Sequence, residues 1–233
     1  MTSWTILCDF DGTISTCDVT DALLERFARP GWELLEQAWR TGRIGSRECM
    51  AGQVALLDAS ADELDALVDT IGIDAAFPAF VARARAAGAN VVVVSDGLHR
   101  VIARILANHG IDDLPVVANR LLQVNVCDWQ AEFPHGDAAC RSGSGNCKCA
   151  CARRHQESHR RTLLIGDGQS DFCAAGSVDF VFAKHKLLEH CRQVGLPHAA
   201  ISGFDDAIAL LPRLLGGQLL PASQSPESIL IAS

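Results

Sequence analysis

The chain has 233 residues, 48% hydrophobic and 21% charged, which suits one α/β domain, or a core domain with a smaller insert, around a substantial core. Its formal charge of −8 argues against a surface built to bind phosphate backbones, so no nucleic-acid partner is expected. No apolar run approaches the roughly 20 residues that span a bilayer, and the N-terminus lacks a basic segment followed by an apolar signal core. A cytoplasmic protein with no membrane partner is the expectation.

Residues 4–8 form a short apolar run that leads into acids and a glycine, the pattern of a buried strand feeding a functional turn. From Asp18 to Gly72 the pattern is helical. Asp18 offers N-cap chemistry ahead of residues 22–27, and Pro30 and Gly31 punctuate before a helix over 32–39. Ser46 opens a helix that runs to Leu57. Ser60 and Glu63 have capping-box spacing ahead of Leu64, Leu67, Val68 and Ile71. This stretch reads as a small helical bundle with no strand in it.

A helix over 75–87 follows, with Gly88 as its C-cap. Residues 91–94 are a β-branched run typical of a strand buried on both faces, ending at Ser95-Asp96-Gly97. Next come a helix over 98–108, two strands at 115–118 and 121–126, and a polar, Gly- and Cys-rich loop over 128–150. Strands are expected at 162–166, at 178–183 and near Ala199, and helices at 187–192 and 204–215. The Ser-, Pro- and Gln-rich end predicts a loose tail over 216–233. Strand–helix alternation predicts a doubly wound parallel sheet, with residues 1–17 and 73–215 as the core and 18–72 as an inserted helical unit.

Three polar clusters each follow an apolar strand: Asp9, Asp11 and Thr13; Ser95, Asp96 and Gly97; Asp167, Gly168, Ser170 and Asp171. In open α/β sheets, ligands bind beyond the carboxyl ends of the strands, so all three converge on one site. A lone strand-end aspartate is often only a helix cap. Three clusters on one edge, two with paired acids, point beyond capping. Carboxylates at this density suit a hard divalent cation, and magnesium, with its oxygen ligands, fits Asp9 and Asp167. Without such an ion the acids repel one another and some stay protonated. With it, Asp9 can attack phosphorus, while Asp11 can protonate the leaving oxygen and later activate water. Ser95 and the amides that open the next helix can hold the phosphate. Of the three lysines, Lys148, Lys184 and Lys186, the first lies ahead of the helix feeding the Asp167 strand and can point at the same edge. Arg153 and Arg154 are nearby substitutes.

At these positions the chain resembles the haloacid dehalogenase superfamily. Asp9-Phe10-Asp11-Gly12-Thr13, Ser95, Lys148 and Gly166-Asp167-Gly168-x-Ser170-Asp171 match its four motifs. The helical insert looks like the superfamily's first (C1) cap type, as in the phosphoserine phosphatases of subclass IB. A closer likeness is to the MtnX-like group, related to the methionine-salvage phosphatase acting on 2-hydroxy-3-keto-5-methylthiopentenyl-1-phosphate. It includes Phe27-Ala28-x-Pro30-x-Trp32, Pro134-His135, and Cys140 eight residues before Lys148.

The resemblance implies a Rossmann-like core and a Mg²⁺-dependent phosphomonoesterase that works through an aspartyl-phosphate. The implied partner is a small phosphorylated metabolite: the methylthio-ketose phosphate or, alternatively, phosphoserine or another small ester. It implies Asp9 as nucleophile and Asp11 as general acid/base. Mg²⁺ would sit on Asp9, the Asp11 backbone carbonyl and Asp167, with Asp171 in support. Thr13, Ser95, Gly97 and Lys148 would surround the phosphate. Many relatives carry Ser-Gly-Gly at the second motif, so Asp96 is an added acid, expected to alter substrate preference or bind a substrate amine or hydroxyl.

His135 and Cys140, Cys147, Cys149 and Cys151 are of the composition that holds structural Zn²⁺. Alternate residues cannot easily chelate one ion, so reduced thiols are the expectation and zinc the alternative. Trp32, Trp39, Arg43, Arg47, Met50, Gln53 and His99 are candidate substrate contacts, weighed against packing and solvation. A phospho-accepting signalling domain shares the acids and the lysine. The first-strand position of Asp9 and the insert count against it.

Overall fold

The computed structural model describes residues 3–140, 142–156 and 160–220. Its strands are β1 (Trp4–Cys8), β2 (Asn90–Leu98), β3 (Val116–Gln123), β4 (Trp129–Glu132), β5 (Arg161–Gly166), β6 (Phe180–Ala183) and β7 (His198–Ala200). They form one sheet in the order β4-β3-β2-β1-β5-β6-β7. Every pairing is parallel except that of β4 with β3. The chain winds outward from β1 in both directions, so the crevice beyond the end of β1 is the topological switch point of the sheet.

Strand periodicity explains the two-faced core. Ile6 and Cys8, Val91 and Val93, and Leu163 and Ile165 point to one side, where they pack with Phe77, Phe80, Ile105 and Phe204. Leu7, Val92, Val94 and Leu164 point to the other, against Ala152, Ala174 and Leu187. A sheet buried on both faces needs unbroken apolar strands rather than alternating ones, and β1 is buried at all five positions.

Between β1 and β2 lie α1 (Val19–Phe27), α2 (Trp32–Arg40), α3 (Ser46–Val54), α4 (Ala61–Val68) and α5 (Phe77–Ala86). Asp18 caps α1 by accepting the Asp21 N–H at 2.9 Å, and Ser60 and Glu63 form the expected capping box on α4. Buried Leu23, Leu24, Val54, Leu57 and Leu64 join the insert to the main core. The remaining helices are α6 (His99–Asn108), α7 (Lys148–Gln156), α8 (Phe172–Ala175), α9 (His185–Val194) and α10 (Phe204–Leu215).

Four expectations change. Strand β2 does not stop at Val94 but continues through Ser95-Asp96-Gly97 to Leu98, which pairs with Asn119 after a register irregularity. The two strands expected at 115–126 are a single β3, because Asn119 is buried with its amide donating to the Asp96 carbonyl and no turn is needed there. Part of the expected loop is β4, whose Trp129 and Ala131 are buried while Gln130 and Glu132 are exposed. Lys148 does not precede its helix but begins it. The tail expected at 216–233 lies outside the described residues beyond residue 220.

Candidate active site

The turn after β1 is fixed by the sheet itself. The Asp9 N–H donates to the Ile165 carbonyl at 2.8 Å, and fully buried Phe10 anchors the turn between the two acids. Gly12 has φ +67, and a Cβ there would stand 2.8 Å from Asp167 Oδ2. Its carbonyl accepts a hydrogen bond from Lys184 Nζ at 2.9 Å. Glycine is needed here for both conformation and space.

Lys148 is the centre of the charge arrangement. It is 2% exposed, with Nζ 2.8 Å from Asp9 Oδ1 and 2.7 Å from Asp171 Oδ1. It also donates to Ser170 Oγ at 3.2 Å. Asp9 Oδ1 accepts the Phe10 N–H at 2.7 Å as well, which fixes the rotation of the carboxylate. Asp171 Oδ2 accepts the Asp167 and Gly168 N–H groups at 3.1 and 3.3 Å, shaping the turn after β5. Thr13 donates to Asp167 Oδ1 at 3.2 Å. Carboxylate oxygens of Asp9, Asp167 and Asp171 all lie within 4.8 Å of one another.

The second acid of the turn faces elsewhere. Asp11 Oδ1 accepts the Val19 N–H at 2.9 Å, at the start of α1. Its Oδ2 is 3.4 Å from Ser95 Oγ, which in turn accepts the Gly97 N–H at 2.9 Å. A Cβ on Gly97 would stand 2.8 Å from Asp11 Oδ2, so this glycine lets β2 approach the acid.

Burial raises the Asp9 carboxyl well above the usual carboxylate range, and Asp171 adds to the rise while Lys148 opposes it. Burial and then Asp18 push Asp11 up to about 7. Burial and Asp171 raise Asp167. For Lys148, burial alone would lower the value, but Asp171, Asp9 and Asp96 outweigh it and hold the ammonium above the usual lysine range. Three buried or half-buried carboxylates facing one ammonium leave a negative surplus. Their hard oxygen donors suit a divalent cation of the magnesium type.

Asp9, Asp11, Gly12, Ser95, Gly97 and Asp167 line a cavity of about 380 Å³, within the size range of small-molecule sites; Lys148, Asp171 and Thr13 are not on its surface. Its far wall comes from the insert: Asp18, Asp21, Glu36, Trp39, Arg40, Cys49, Met50 and Gln53. Glu36 is held by Arg40 Nε at 2.8 Å and by Gln53 Nε2 at 3.3 Å. Burial, helped by Asp18 and Glu36, raises Asp21 to about 6.

Among the expected residues, Asp9, Asp11, Ser95, Asp96, Gly97, Asp167, Trp39, Met50 and Gln53 border this cavity. Arg47 instead lies over the Phe133 ring, Trp32 packs against the core, Arg43 borders a neighbouring cavity and His99 is exposed. Sequence reasoning assigned no role at the cavity to Asp18, Asp21, Glu36, Arg40 or His185. A φ of +37 at His185, unusual for a residue with a side chain, marks that position only once the backbone is seen.

The zinc alternative fails. Among the described residues, the one cluster of three or more potential metal ligands is Asp9, Asp167 and Asp171. Cys149 and Cys151 lie on α7, where alternate residues diverge by about 200° around the helix axis. Cys147, Cys149 and Cys151 are buried as free thiols in the apolar layer beneath that helix.

The model of the haloacid dehalogenase-like hydrolase family matches residues 6–176. The chain belongs to that family and is an enzyme of its phosphatase class. It is 31% identical over 217 residues to the 2-hydroxy-3-keto-5-methylthiopentenyl-1-phosphate phosphatase of Geobacillus kaustophilus, covering 90% of this chain and 96% of the relative. The same-named protein of Brevibacillus brevis is 30% identical over 90% of this chain and 95% of its own length. Among solved structures, a phospho-aspartyl intermediate analogue of phosphoserine phosphatase superposes with a TM-score of 0.68 at 18% identity, over 91% of this chain and 99% of that one. A substrate-bound phosphoserine phosphatase complex gives 0.69 at 17% identity, over 91% and 98%. These two likenesses establish the fold. Among the described residues, no helix is long and apolar enough to cross a membrane.

Proposed function

We propose that the chain is a Mg²⁺-dependent phosphomonoesterase that works through an aspartyl-phosphate at Asp9, under a cap formed by residues 18–72. The observation that carries this is the buried ammonium of Lys148, set between Asp9 and Asp171 beside the Asp167 carboxylate at the switch point of the sheet. Asp9, Asp167 and Asp171 would hold the ion, with the Asp11 carbonyl. When bound, it supplies positive charge that keeps Asp9 ionised and offsets charge on the phosphoryl oxygens.

The chain's own residues then divide the work. The Asp9 carboxylate attacks phosphorus as the bond to the leaving oxygen breaks, and Asp11, protonated, gives its proton to that oxygen. Asp11, now a carboxylate, takes a proton from the water that attacks the aspartyl-phosphate, releasing phosphate and restoring Asp9. Lys148 and Ser95 stabilise the transferring group, and the Gly97 N–H orients the Ser95 hydroxyl. Thr13 keeps Asp167 in place.

The substrate is proposed to be a methylthio-ketose phosphate of the type named for the curated relatives. The cap wall presents three acids, Asp18, Asp21 and Glu36, and one guanidinium, Arg40, already paired with Glu36. Such a wall disfavours a substrate carboxylate and accepts hydroxyls, while Trp39 and Met50 offer apolar contact. Phosphoserine, which carries a carboxylate together with an ammonium, is the natural control.

Purified protein should hydrolyse p-nitrophenyl phosphate with Mg²⁺ and lose that activity to EDTA and to Asp9→Asn. It should prefer the methylthio-ketose phosphate to phosphoserine in kcat/KM. Activity undiminished by Asp9→Asn would remove the proposed nucleophile, and a preference for phosphoserine would remove the substrate.

A further inference from the structure

The Asp96 carboxylate points into the seam between the insert and the core. Oδ2 accepts the Ser46 hydroxyl at 3.0 Å, from the first residue of α3. Oδ1 accepts the Asn146 N–H at 2.9 Å, and the Ser144 hydroxyl lies 2.8 and 3.1 Å from the two oxygens. The backbone carbonyl of Asp96 accepts the Asn119 side-chain amide. These three donors on the carboxylate come from two segments remote from each other in sequence.

Both segments matter to the site. Asn146 donates through its side chain to the Ser95 and Val117 carbonyls at 2.9 and 2.7 Å, and Lys148 follows two residues later. On the other side, the Arg47 N–H donates to the Gly143 carbonyl at 3.1 Å. A Cβ on Gly45 would stand 2.8 Å from that same oxygen, so the two backbones touch with no room for a side chain. Ser46 and Asp96 also form part of the wall shared by the catalytic cavity and a neighbouring one of about 620 Å³.

We propose that Asp96 is a positioning residue: it clasps the cap, through Ser46, and the Lys148-bearing loop, through Ser144 and Asn146, to the end of the Ser95 strand. One side chain thereby couples the seating of the cap to the placement of Lys148. Each oxygen of the Asp96 carboxylate already meets a protein donor, and Ser144 Oγ also lies 2.6 Å from the Asn146 carbonyl, which ties the loop to the same point. The kinetic consequence rests on the phosphatase reading above, while the structural one does not.

The test compares wild type with Asp96→Asn, Ser46→Ala, Ser144→Ala and the Ser46→Ala/Asp96→Asn double variant. The carboxamide keeps the size of Asp96 but turns one acceptor into a donor that faces other donors. Amide exchange at Arg47 should accelerate about tenfold in Asp96→Asn and in Ser46→Ala, the scale expected for one lost hydrogen bond, and the double variant should be no faster than Asp96→Asn. Exchange at Asn146 should accelerate in Asp96→Asn but not in Ser46→Ala. With p-nitrophenyl phosphate and Mg²⁺, Ser46→Ala should change KM more than kcat, Ser144→Ala kcat more than KM, and Asp96→Asn both.

Wild-type exchange at both amides in Asp96→Asn overturns the clasp. So does a raised KM confined to Asp96→Asn, which would make Asp96 a substrate contact. A uniform loss of protection across the sheet with unaltered kinetics would leave only a stability role, and that also overturns it. If wild type hydrolyses no phosphate ester, the phosphatase reading fails and the exchange measurements still decide the clasp.

Discussion

Replacing Lys148 with methionine keeps most of the side chain's bulk and removes the ammonium, with both its charge and its hydrogen-bond donors. The ammonium is 2% exposed and lies 2.8 Å from Asp9 and 2.7 Å from Asp171. Removing one partner of a buried ion pair costs roughly 3–5 kcal/mol, and here two carboxylates are left facing each other. Lys148 is the first of the influences that lower the Asp9 carboxyl, so its loss raises that carboxyl further above the usual value of 3.8. A carboxyl raised in the folded state binds more protons folded than unfolded. The penalty for its charge is therefore full above the folded value and fades as pH falls toward 3.8. Urea unfolding in EDTA should show Lys148→Met less stable than wild type by about 3 kcal/mol or more near pH 8, with the gap narrowing toward about pH 4. Mg²⁺ should recover part of the loss, because it binds the folded state. Turnover should fall roughly 10²–10³-fold, the scale for deleting one preorganised charge-stabilising group. A gap below about 1 kcal/mol at neutral pH, as for a solvent-exposed pair, or one that does not change with pH, would refute the buried-pair reasoning.

Asp18→Asn should move the alkaline limb of kcat/KM for an alkyl phosphate to lower pH. Asp11 sits at about 7 through burial and then Asp18, and a general acid loses activity as pH rises through its own value. The limb for p-nitrophenyl phosphate, whose leaving group needs no proton, should stay in place; an unmoved limb for the alkyl ester would exclude Asp11 as the acid. Asparagine still caps α1, so the fold is preserved. Gly12→Ala places a side chain at φ +67 with its Cβ 2.8 Å from Asp167 Oδ2, straining the backbone by about 1–2 kcal/mol and displacing a proposed metal ligand. A Mg²⁺ titration of activity should show the requirement rising more than the KM for substrate, and an unchanged requirement would separate Asp167 from the metal.

The parts of the fold that were legible in the sequence are those written in local patterns. Buried parallel strands are continuous apolar runs, and their ends are marked by abrupt polar clusters, so Asp9, Asp11, Ser95 and Asp167 could be gathered to one edge by topology alone. The strand through Asn119 looks interrupted in the sequence because a buried amide resembles a turn residue until its partner, the Asp96 carbonyl, is in view. Strand β4 is hidden in a polar stretch because its two buried positions are too few to establish a period. Asp18 reads as a helix cap, and Asp21 and Glu36 carry no signal in the sequence beyond lying in a helical pattern. They become a charged wall only when α1 and α2 fold over the turn at Asp11. Asp96 shows the limit most sharply. From its place in the motif it reads as an added acid near the phosphate that alters substrate preference or binds an amine or hydroxyl, since nothing in the motif names Ser46, Ser144 and Asn146, from segments on either side, as donors to it. The charge of a site residue is local information, whereas whether that charge is free to meet a substrate depends on donors that only the folded chain brings together.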